Sequence, residues 1–385
     1  MTGGVPPLPD FLGGSLADVL PAVMRSLGAP DSTTGSEAIE LPEAVRVCVV
    51  LVDGLGMNAL LAHPQQTPFL TSLLGSRWSR RITSVFPTTT PVALTSLGTG
   101  LPPGEHGVTG LVVRMPADGR LVNTLAIPAQ TDMRRLQPQP TVFETLAAAG
   151  VAVTRVGPGL FDGKGLTEAG LRGGDYSAAE SVGERVAAVS DAVRRARRTF
   201  TYVYFGDLDA TGHRRGCRSA AWREELAHLD QVVERLAAAM PAGAALVVTS
   251  DHGMVDVDAG RRWDLAVTPA LAEGVESLAG DTRGVHVHAR PGAVDDVATA
   301  WSATLGPDFW VWSRDEAVAC GLYGPVVADH VRPRIGDVVA AARGESAVVD
   351  SRVMPASLLG LVGLHGSLTA DELFVPLLVQ HVGNG

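Results

Sequence analysis

Several carboxylate and histidine side chains come just after short apolar runs of the chain. Asp53, Asp209, Asp251 and His252 each follow a run rich in valine, leucine or aromatic residues. Runs of this length and composition predict buried parallel strands. The carboxyl ends of parallel strands meet at one edge of a sheet, which is where α/β proteins bind ligands, so we expect these side chains to gather there.

The spacing of these residues favours metal binding. Asp209 and His213 are four residues apart, and one helical turn would bring both to the same side. The adjacent Asp251 and His252 can face one cleft only where their strand has ended. His365 precedes the last apolar run and would be an ordinary loop histidine if it stood alone. Carboxylate oxygens and imidazole nitrogens are both common metal ligands.

A second signal is the segment Phe86-Pro-Thr-Thr-Thr90-Pro91. Pro91 suits the first position of a helix, and Thr90 suits the N-cap before it. A helix N-terminus attracts phosphate through its N–H groups and its dipole. A threonine hydroxyl is a weak nucleophile at neutral pH unless it is activated, for example by a metal ion.

The composition excludes some classes of protein. The 385 residues are 46% hydrophobic and carry a formal net charge of −10, so we expect no binding of nucleic-acid polymers or of anionic membranes. A small phosphorylated substrate remains compatible, because bound metal ions invert the local charge. The three scattered cysteines form no disulfide framework, and we find no signal peptide or membrane span, which together predict a cytoplasmic protein. The predominance of arginine over lysine is typical of a GC-rich bacterial genome, and the oligomeric state is not specified.

The apolar runs alternate with helical patterns, and this alternation predicts an α/β fold with a mostly parallel sheet and helices on both faces. Residues 255–350 interrupt the rhythm with Pro- and Gly-punctuated segments. We therefore predict a metallohydrolase core at 1–254 and 351–385, and an inserted cap subdomain at 255–350. Within that cap, residues 283–289 are predicted to form a strand and residues 295–305 a helix.

Taken together, the motifs resemble the type I phosphodiesterase/nucleotide pyrophosphatase family of the alkaline phosphatase superfamily. The resemblance covers roughly residues 45–260 and 355–380, and it implies an alkaline-phosphatase-like three-layer sandwich. Six motifs occur in the same order as in the family, and such a set is unlikely to arise by chance. They are Val52-Asp53-Gly54, Phe86-Pro-Thr-x-Thr90, Gly100-Leu-x-Pro-x-x-His106-Gly107, Asp209-x-x-Gly212-His213, Ser250-Asp-His-Gly-Met254 and His365-Gly366.

The resemblance implies that Thr90 is the nucleophile and that two divalent metal ions, zinc or alternatively manganese, complete the site. It assigns seven ligands in two groups. Phosphate esters, most naturally phosphodiesters or nucleotide pyrophosphates, would be hydrolysed by double displacement through a phosphothreonine intermediate. His106 matches a position that we interpret as structural. The ligand groups are Asp53, Thr90, Asp251 and His252 for one metal, and Asp209, His213 and His365 for the other.

Two positions depart from the family pattern. The family usually has an aromatic residue after the nucleophile and an asparagine two residues further, where this chain has Pro91 and Ala93. The aromatic residue stacks on a nucleobase and the asparagine donates to a phosphate oxygen, so the departures leave nucleotide specificity open. Candidate substitutes for these substrate contacts are Thr89, Thr95 and Ser96 near the nucleophile, and Arg283, His286 and His288 in the cap.

Other functions remain open beside the phosphodiesterase. A phosphomonoesterase or phosphonate hydrolase of the same superfamily would use the same metal ligands. A non-catalytic metal- or phosphate-binding protein on this fold is a more remote alternative, because fold does not fix function. A sulfatase lacks support, since no Cys-x-Pro-x-Arg pattern occupies the nucleophile position. A dinucleotide-binding enzyme lacks the G-x-G-x-x-G motif after the first strand.

Overall fold

A computed structural model describes residues 5–30, 37–126 and 133–383 of the chain. Within these ranges, the α-helices are α1 Val19–Ser26, α2 Met57–Ala62, α3 Pro68–Leu73, α4 Thr90–Thr99, α5 Pro103–His106, α6 Met133–Leu136, α7 Val142–Ala148, α8 Gly165–Gly170, α9 Val182–Ala192, α10 Asp207–Arg215, α11 Ala220–Ala238, α12 Pro269–Ala272, α13 Val294–Leu305, α14 Arg314–Ala319, α15 Ala356–Leu359 and α16 Ala370–Leu373. The strands are β1 Arg46–Val52, β2 Arg80–Thr83, β3 Val112–Arg114, β4 Leu121–Asn123, β5 Ala152–Gly157, β6 Asp175–Ala178, β7 Thr199–Phe205, β8 Ala244–Thr249, β9 Val255–Asp256, β10 Arg262–Asp264, β11 Val275–Gly280, β12 Gly284–Ala289, β13 Phe309–Ser313, β14 Val338–Ala342, β15 Ala347–Val349, β16 Gly363–Leu364 and β17 Phe374–His381.

The central sheet has the strand order β2-β17-β8-β1-β7-β5-β6. Strands β8, β1, β7, β5 and β6 are parallel, whereas β17 is antiparallel to both of its neighbours. Strand β1 lies in the middle of the sheet. Its side chains are apolar on both faces, so both faces are buried. Alternate residues of this strand pack in opposite directions, Val49 into one core and Val50 into the other.

Helices cover both faces of this sheet. Helices α1, α4 and α7 contribute to the core on one face, and α3, α9 and α11 contribute to the core on the other. The predicted three-layer sandwich with a mostly parallel sheet is therefore confirmed. The apolar runs that predict parallel strands are present as strands of this sheet, except that the last run, β17, is antiparallel to both of its neighbours.

A second, antiparallel sheet has the strand order β13-β14-β12-β11-β3-β4. Its strands β11 to β14 come from the region predicted as a cap, and the predicted strand and helix of that region are present as β12 and α13. Strands β3 and β4 come from before that region, at residues 112–123, so this sheet joins two distant parts of the sequence. The domain boundaries at 254 and 350 remain a prediction. In the described ranges no helix has both the length and the apolar character needed to span a bilayer.

Candidate metal centre and active-site cavity

The central sheet brings its acidic loop residues together at one edge. Asp53 follows β1, and Asp251 and His252 follow β8, which is the neighbouring strand. On the other side of β1, strand β7 leads into α10, whose first turn carries Asp209. His213 lies one turn further along the same helix. The predicted gathering at the carboxyl ends of the strands is therefore present.

Thr90 lies in the first turn of α4, which is buried along almost its whole length. The helix begins one residue earlier than the sequence suggested, because the extended residue before it is Thr89, and Thr90 is already helical. Pro91 occupies the second helical position, where its missing N–H is still one of the groups that a helix leaves unbonded. The positive end of the α4 dipole is thus directed at the threonine predicted to be the nucleophile.

The first group of candidate metal ligands, called triad 1 here, consists of Asp53, Asp251 and His252. The Nε2 atom of His252 lies 3.5 Å from Oδ1 of Asp53 and 3.4 Å from Oδ2 of Asp251. All three side chains are buried. The hydroxyl of Thr90 is 3.2 Å from the same Nε2 atom, so the predicted nucleophile adjoins this triad.

The second group, triad 2, consists of Asp209, His213 and His365. The Nε2 atom of His213 is 3.4 Å from Oδ2 of Asp209 and 3.3 Å from Nε2 of His365. The ring of His365 also stacks on the ring of His252, with 3.7 Å between centroids. The two triads are therefore adjacent parts of one site, although His365 and Asp53 are more than three hundred residues apart in the sequence.

Backbone carbonyl groups orient all three histidines. The Nδ1 atom lies 2.7 Å from the Gly363 carbonyl in His213, 2.9 Å from the Thr88 carbonyl in His365, and 3.1 Å from the Gly253 carbonyl in His252. A carbonyl can only accept, so each Nδ1 carries the proton and each Nε2 presents a lone pair to the centre. This is the orientation that metal-ligating histidines require.

The carboxylates present unpartnered oxygens to the same centre. Oδ1 of Asp53, Oδ1 of Asp209 and Oδ2 of Asp251 are buried and have no hydrogen-bond partner among the described residues. The remaining oxygens of triad 1 are anchored, since Tyr204 donates to Asp53 at 2.6 Å and the Gly54 amide donates to Asp251 at 3.2 Å. Buried polar atoms without partners are costly unless a ligand satisfies them. The residues present therefore fit divalent cations.

The pKa values show the same need for a cation. Burial, followed by the charge of Asp53, raises the pKa of Asp209 to about 8. Burial, followed by the charge of Asp209, raises the pKa of Asp251 to about 7. Burial and then the neighbouring His252 and His213 hold the pKa of His365 well below its ordinary value, so it is neutral and able to ligate. Clustered buried carboxylates favour protons in this way until a metal ion replaces them.

A cavity of about 650 Å³ opens from the triads. Thr89 and Thr90 line it at the metal end, and most of its remaining wall is apolar. Four exposed apolar side chains form a lip at its mouth. They are Leu125, Leu160, Phe161 and Leu358.

The other predicted substrate contacts do not line this cavity. The Thr95 hydroxyl donates to the Pro91 carbonyl of its own helix at 2.6 Å, and Ser96 is bonded to His106 at 2.8 Å. His106 also accepts from the Val108 amide, so its predicted structural role in holding the loop agrees with its contacts.

The cap residues predicted to contact substrate are likewise absent from the cavity wall. Arg283 is fully buried and binds Glu372 through two nitrogens, at 2.8 and 2.7 Å. His286 is paired with the Tyr323 hydroxyl at 2.7 Å, and His288 is buried on the same face of β12. The structure therefore does not bring these three residues to the wall of this cavity. The alternation of a strand predicts that His286 and His288 share a face, but it does not specify whether that face meets a cavity or a protein core.

Several residues of the site carried no signal in the sequence. Tyr204 lies in the apolar run before Asp209, where nothing in the sequence marks it as a site residue, yet its hydroxyl donates to Asp53. Asp281 and Thr282 line the cavity from the loop after β11, and the hydroxyl of Thr89 is bonded to Asp281. Asp207 instead pairs with Arg185 at the surface, as expected of a solvated acid.

Comparison with known proteins agrees with this geometry. The family model for type I phosphodiesterase/nucleotide pyrophosphatase matches residues 47–368. The structure superposes on murine ectonucleotide pyrophosphatase/phosphodiesterase 5 with a TM-score of 0.69, at 21% identity, covering 86% of this chain and 87% of that one. The human counterpart gives 0.70 at 20% identity, covering 87% and 88%. An inactive murine variant in complex with AMP gives 0.69 at 20% identity, covering 86% and 87%.

Two curated relatives are phosphopentomutases. The protein from Anaeromyxobacter dehalogenans is 27% identical over 63% of this chain, and the match spans 58% of the relative's length. The protein from Deinococcus radiodurans is 31% identical over 39% of this chain, and the match spans 37% of its length. The family model covers far more than half of the chain. The chain belongs to the type I phosphodiesterase/nucleotide pyrophosphatase family of phosphoester hydrolases.

Proposed function

We propose that the chain hydrolyses phosphodiester or nucleotide pyrophosphate bonds of small molecules, with Thr90 as the nucleophile. The observation that carries this proposal is the position of the Thr90 hydroxyl, which lies against triad 1 at the N-terminus of a buried helix. The AMP complex of the murine relative supports a nucleotide-like substrate. Pro91 and Ala93, which replace the family's aromatic and asparagine positions, leave the nature of the esterified group open.

We further propose that triad 1 with Thr90 holds one divalent metal ion and that triad 2 holds another. Zinc suits this nitrogen and oxygen ligand set, and manganese is the alternative. When bound, such cations lower the pKa of a coordinated hydroxyl or water and neutralise the charge that develops on phosphoryl oxygens. We also propose a cytoplasmic location, supported by the three free cysteines Cys48, Cys217 and Cys320.

The proposed hydrolysis takes place in two successive displacements at phosphorus, and the positions of the chain's residues fit both. In the first, the Thr90 oxygen attacks phosphorus, its proton passes to solvent, and the bond to the alcohol or phosphate leaving group breaks, giving phosphothreonine. In the second, water attacks that phosphorus from the side of triad 2, whose residues line the open cavity. The bond between phosphorus and the Thr90 oxygen then breaks, the phosphate product is released, and the oxygen takes up a proton to restore the hydroxyl. The hydrogen bonds from Tyr204 and Gly54 keep the carboxylates of triad 1 in place throughout, which is how positioning contributes to phosphoryl transfer.

The phosphopentomutase similarity keeps phosphomonoester processing as a second candidate. A substrate panel separates the candidates on metal-replete protein. The panel consists of p-nitrophenyl phosphate, bis-p-nitrophenyl phosphate, the p-nitrophenyl ester of thymidine 5′-monophosphate, and phosphonoacetate. We expect kcat/KM for the two diesters to exceed that for the monoester by at least about tenfold, and a metal-depleted sample to be inactive. Preference for the monoester or for phosphonoacetate would replace this proposal with the second candidate or with a phosphonate hydrolase.

A further inference from the structure

The cavity contains a buried cation at a distance from the triads. Arg155 lies in β5 and lines the cavity wall, and only 6% of the residue's surface is exposed to solvent. Its Nε and Nη1 atoms have no hydrogen-bond partner among the described residues. The guanidinium group lies 5.4 Å from the ring centre of Tyr176, whose own hydroxyl donates to the Pro158 carbonyl at 2.7 Å.

Arg155 differs from the other buried arginines that the structure describes. Each of those is held by backbone carbonyl or carboxylate oxygens, which satisfy its charge within the fold. The carboxylates of Glu168 and Asp162 act on the Arg155 charge only from a distance, and no oxygen of the described residues accepts a hydrogen bond from its Nε or Nη1. Burial of those N–H groups is costly, because the water that they would bond is lost and no acceptor replaces it. The arginines with internal partners are Arg172, Arg185, Arg283 and Arg334.

The neighbouring strand supplies a second unpartnered donor. Tyr202 is the register partner of Arg155 on β7, so the two side chains point to the same face of the sheet. The Tyr202 hydroxyl is buried, lacks a hydrogen-bond partner among the described residues and lines the same cavity. Burial raises the pKa of Tyr202 well above its ordinary value, so the group remains a donor. Both orphaned groups thus offer N–H or O–H donors to the same cavity.

The register of the central sheet gives the distance between Arg155 and Asp53 of triad 1. Arg155 aligns with Tyr202, and Tyr202 aligns with Val49 of β1, so Arg155 is two strands from β1. Asp53 is four residues beyond Val49. Two strand spacings and four residues of rise place the α-carbons of Arg155 and Asp53 about 16 Å apart. That is further than one arginine side chain reaches, so Arg155 and the triads hold different groups of a ligand.

We propose that Arg155, assisted by Tyr202, binds a second anionic group of the substrate, a carboxylate or a phosphate. An apolar segment would connect this group to the scissile phosphorus, because leucines such as Leu94, Leu166 and Leu171 form the wall of the cavity. The substrate class is therefore a phosphodiester whose esterified group ends in an anion. This inference rests on the proposed function, since it names what that hydrolase cleaves.

A matched substrate series tests the inference. The substrates are p-nitrophenyl phosphodiesters of ω-hydroxycarboxylic acids with four, six, eight and ten carbons, each paired with its methyl ester. The quantity measured is the ratio of kcat/KM for the free acid to that for the ester. In the wild type we expect this ratio to reach about 10 or more at one chain length, as a charge-assisted hydrogen bond implies. In Arg155→Met it should fall to near one.

Arg290→Met is the matched control, because it removes the same charge from an exposed position outside the cavity. Its ratio should equal that of the wild type. If the wild type cleaves acids and esters equally at every length, the inference is overturned while the proposed function stands. The inference is also overturned if Arg290→Met lowers the ratio as much as Arg155→Met, since the effect would then be one of net charge.

A binding measurement keeps the inference testable if no diester is cleaved. Titration calorimetry with octanoate, in the presence of a chelator, probes the apolar chain and the carboxylate without metal ions. We expect octanoate to bind the wild type and Arg290→Met about tenfold more tightly than Arg155→Met. Equal affinities for all three would contradict the inference.

Thermal unfolding distinguishes this role from a structural one. Arg155→Met retains the length of the apolar stem and removes buried N–H groups that have no hydrogen-bond acceptor among the described residues, so its Tm should be equal to or above that of the wild type. A lower Tm together with an unchanged substrate ratio would show that Arg155 serves the fold, and would overturn the inference.

Discussion

The two triads differ in how far they are shielded from solvent. The side chains of Asp53, Asp251 and His252 in triad 1 are exposed by no more than 3%, whereas those of Asp209 and His213 in triad 2 are exposed by 15% and 22%. Triad 1 adjoins Thr90, the proposed nucleophile, and its carboxylates accept hydrogen bonds from Tyr204 and from backbone amides. All three residues of triad 2 line the cavity. The contrast fits the proposed mechanism, in which triad 1 holds the nucleophile and triad 2 faces the attacking water.

The largest expected effect concerns the residue that joins triad 1 to the substrate. Thr90→Ala should reduce kcat for bis-p-nitrophenyl phosphate by at least about a thousandfold, because no attacking oxygen remains. Thr90→Ser is the matched control and should retain activity within about tenfold of the wild type, since it keeps the hydroxyl. Steady-state kinetics on metal-replete protein checks both. Substantial turnover by Thr90→Ala would remove Thr90 from the proposed mechanism.

The next effect separates the triads by metal content. Asp209→Asn should lose the metal ion of triad 2 and keep that of triad 1, and Asp251→Asn should do the reverse, because each change removes one anionic ligand. Metal analysis of the dialysed proteins would then give about one equivalent in each case, against two in the wild type. Asp207→Asn, on the same helix but exposed and paired with Arg185, should retain both. Wild-type stoichiometry in Asp209→Asn would contradict the assignment of triad 2.

A third prediction concerns the stability of chelated protein across pH. The folded-state pKa values of Asp209 and Asp251, about 8 and 7, lie above the ordinary value of 3.8. At these two carboxylates the folded state therefore binds more protons than the unfolded state between about pH 4 and pH 8, so their contribution to stability falls as pH rises through that window. Buried histidines outside the triads, such as His106 and His286, have lowered pKa values and act in the opposite direction, but they do so equally with and without metal. We therefore expect the Tm of chelated protein to fall relative to that of zinc-loaded protein by at least about 3 °C from pH 5 to pH 8. Equal slopes for both would contradict the clustering of charge.

The smallest expected effect concerns the hydrogen bond from Tyr204 to Asp53 of triad 1. Tyr204→Phe removes the hydrogen bond to Asp53 and should weaken metal affinity at triad 1 by about tenfold, as loss of such supporting contacts does elsewhere. Affinity at triad 2 should be unchanged, because no hydrogen bond links Tyr204 to its ligands in the described structure. Competition with a chromophoric chelator measures the two affinities. An equal loss at both triads would show that the triads are not independent.

Site residues could be predicted where a local sequence pattern marks them, and could not where their role depends on contacts between distant parts of the chain. Asp53, Asp251 and His252 could be found because strand ends mark them, and Asp209 with His213 because their spacing fits a helix. His365 was identified only through the family resemblance, since a lone histidine before a strand carries no signal. The fold was predictable for a similar reason, because the apolar runs of the central sheet are long and strongly patterned.

Two of the buried arginines, Arg283 and Arg155, have roles that the sequence does not reveal. Arg283 was predicted to contact substrate and instead pairs with Glu372, whereas Arg155 lines the cavity and was not singled out at all. The local sequence does not reveal this difference, because each arginine follows a threonine in or just before a strand. What differs is the presence of a partner that lies far away in sequence, and only the packed structure shows this. The edge strands β2 and β6 were missed because they are short and partly exposed.

The position of β17 has a consequence for synthesis. This strand fills the gap between β8 and β2 in the interior of the central sheet, yet it is made after every other strand described here. While the ribosome is still extending the chain, β8 has an open edge, and His365 has not emerged to complete triad 2. A nascent chain can therefore assemble triad 1 before triad 2, and the open edge of β8 is prone to aggregation until β17 is inserted.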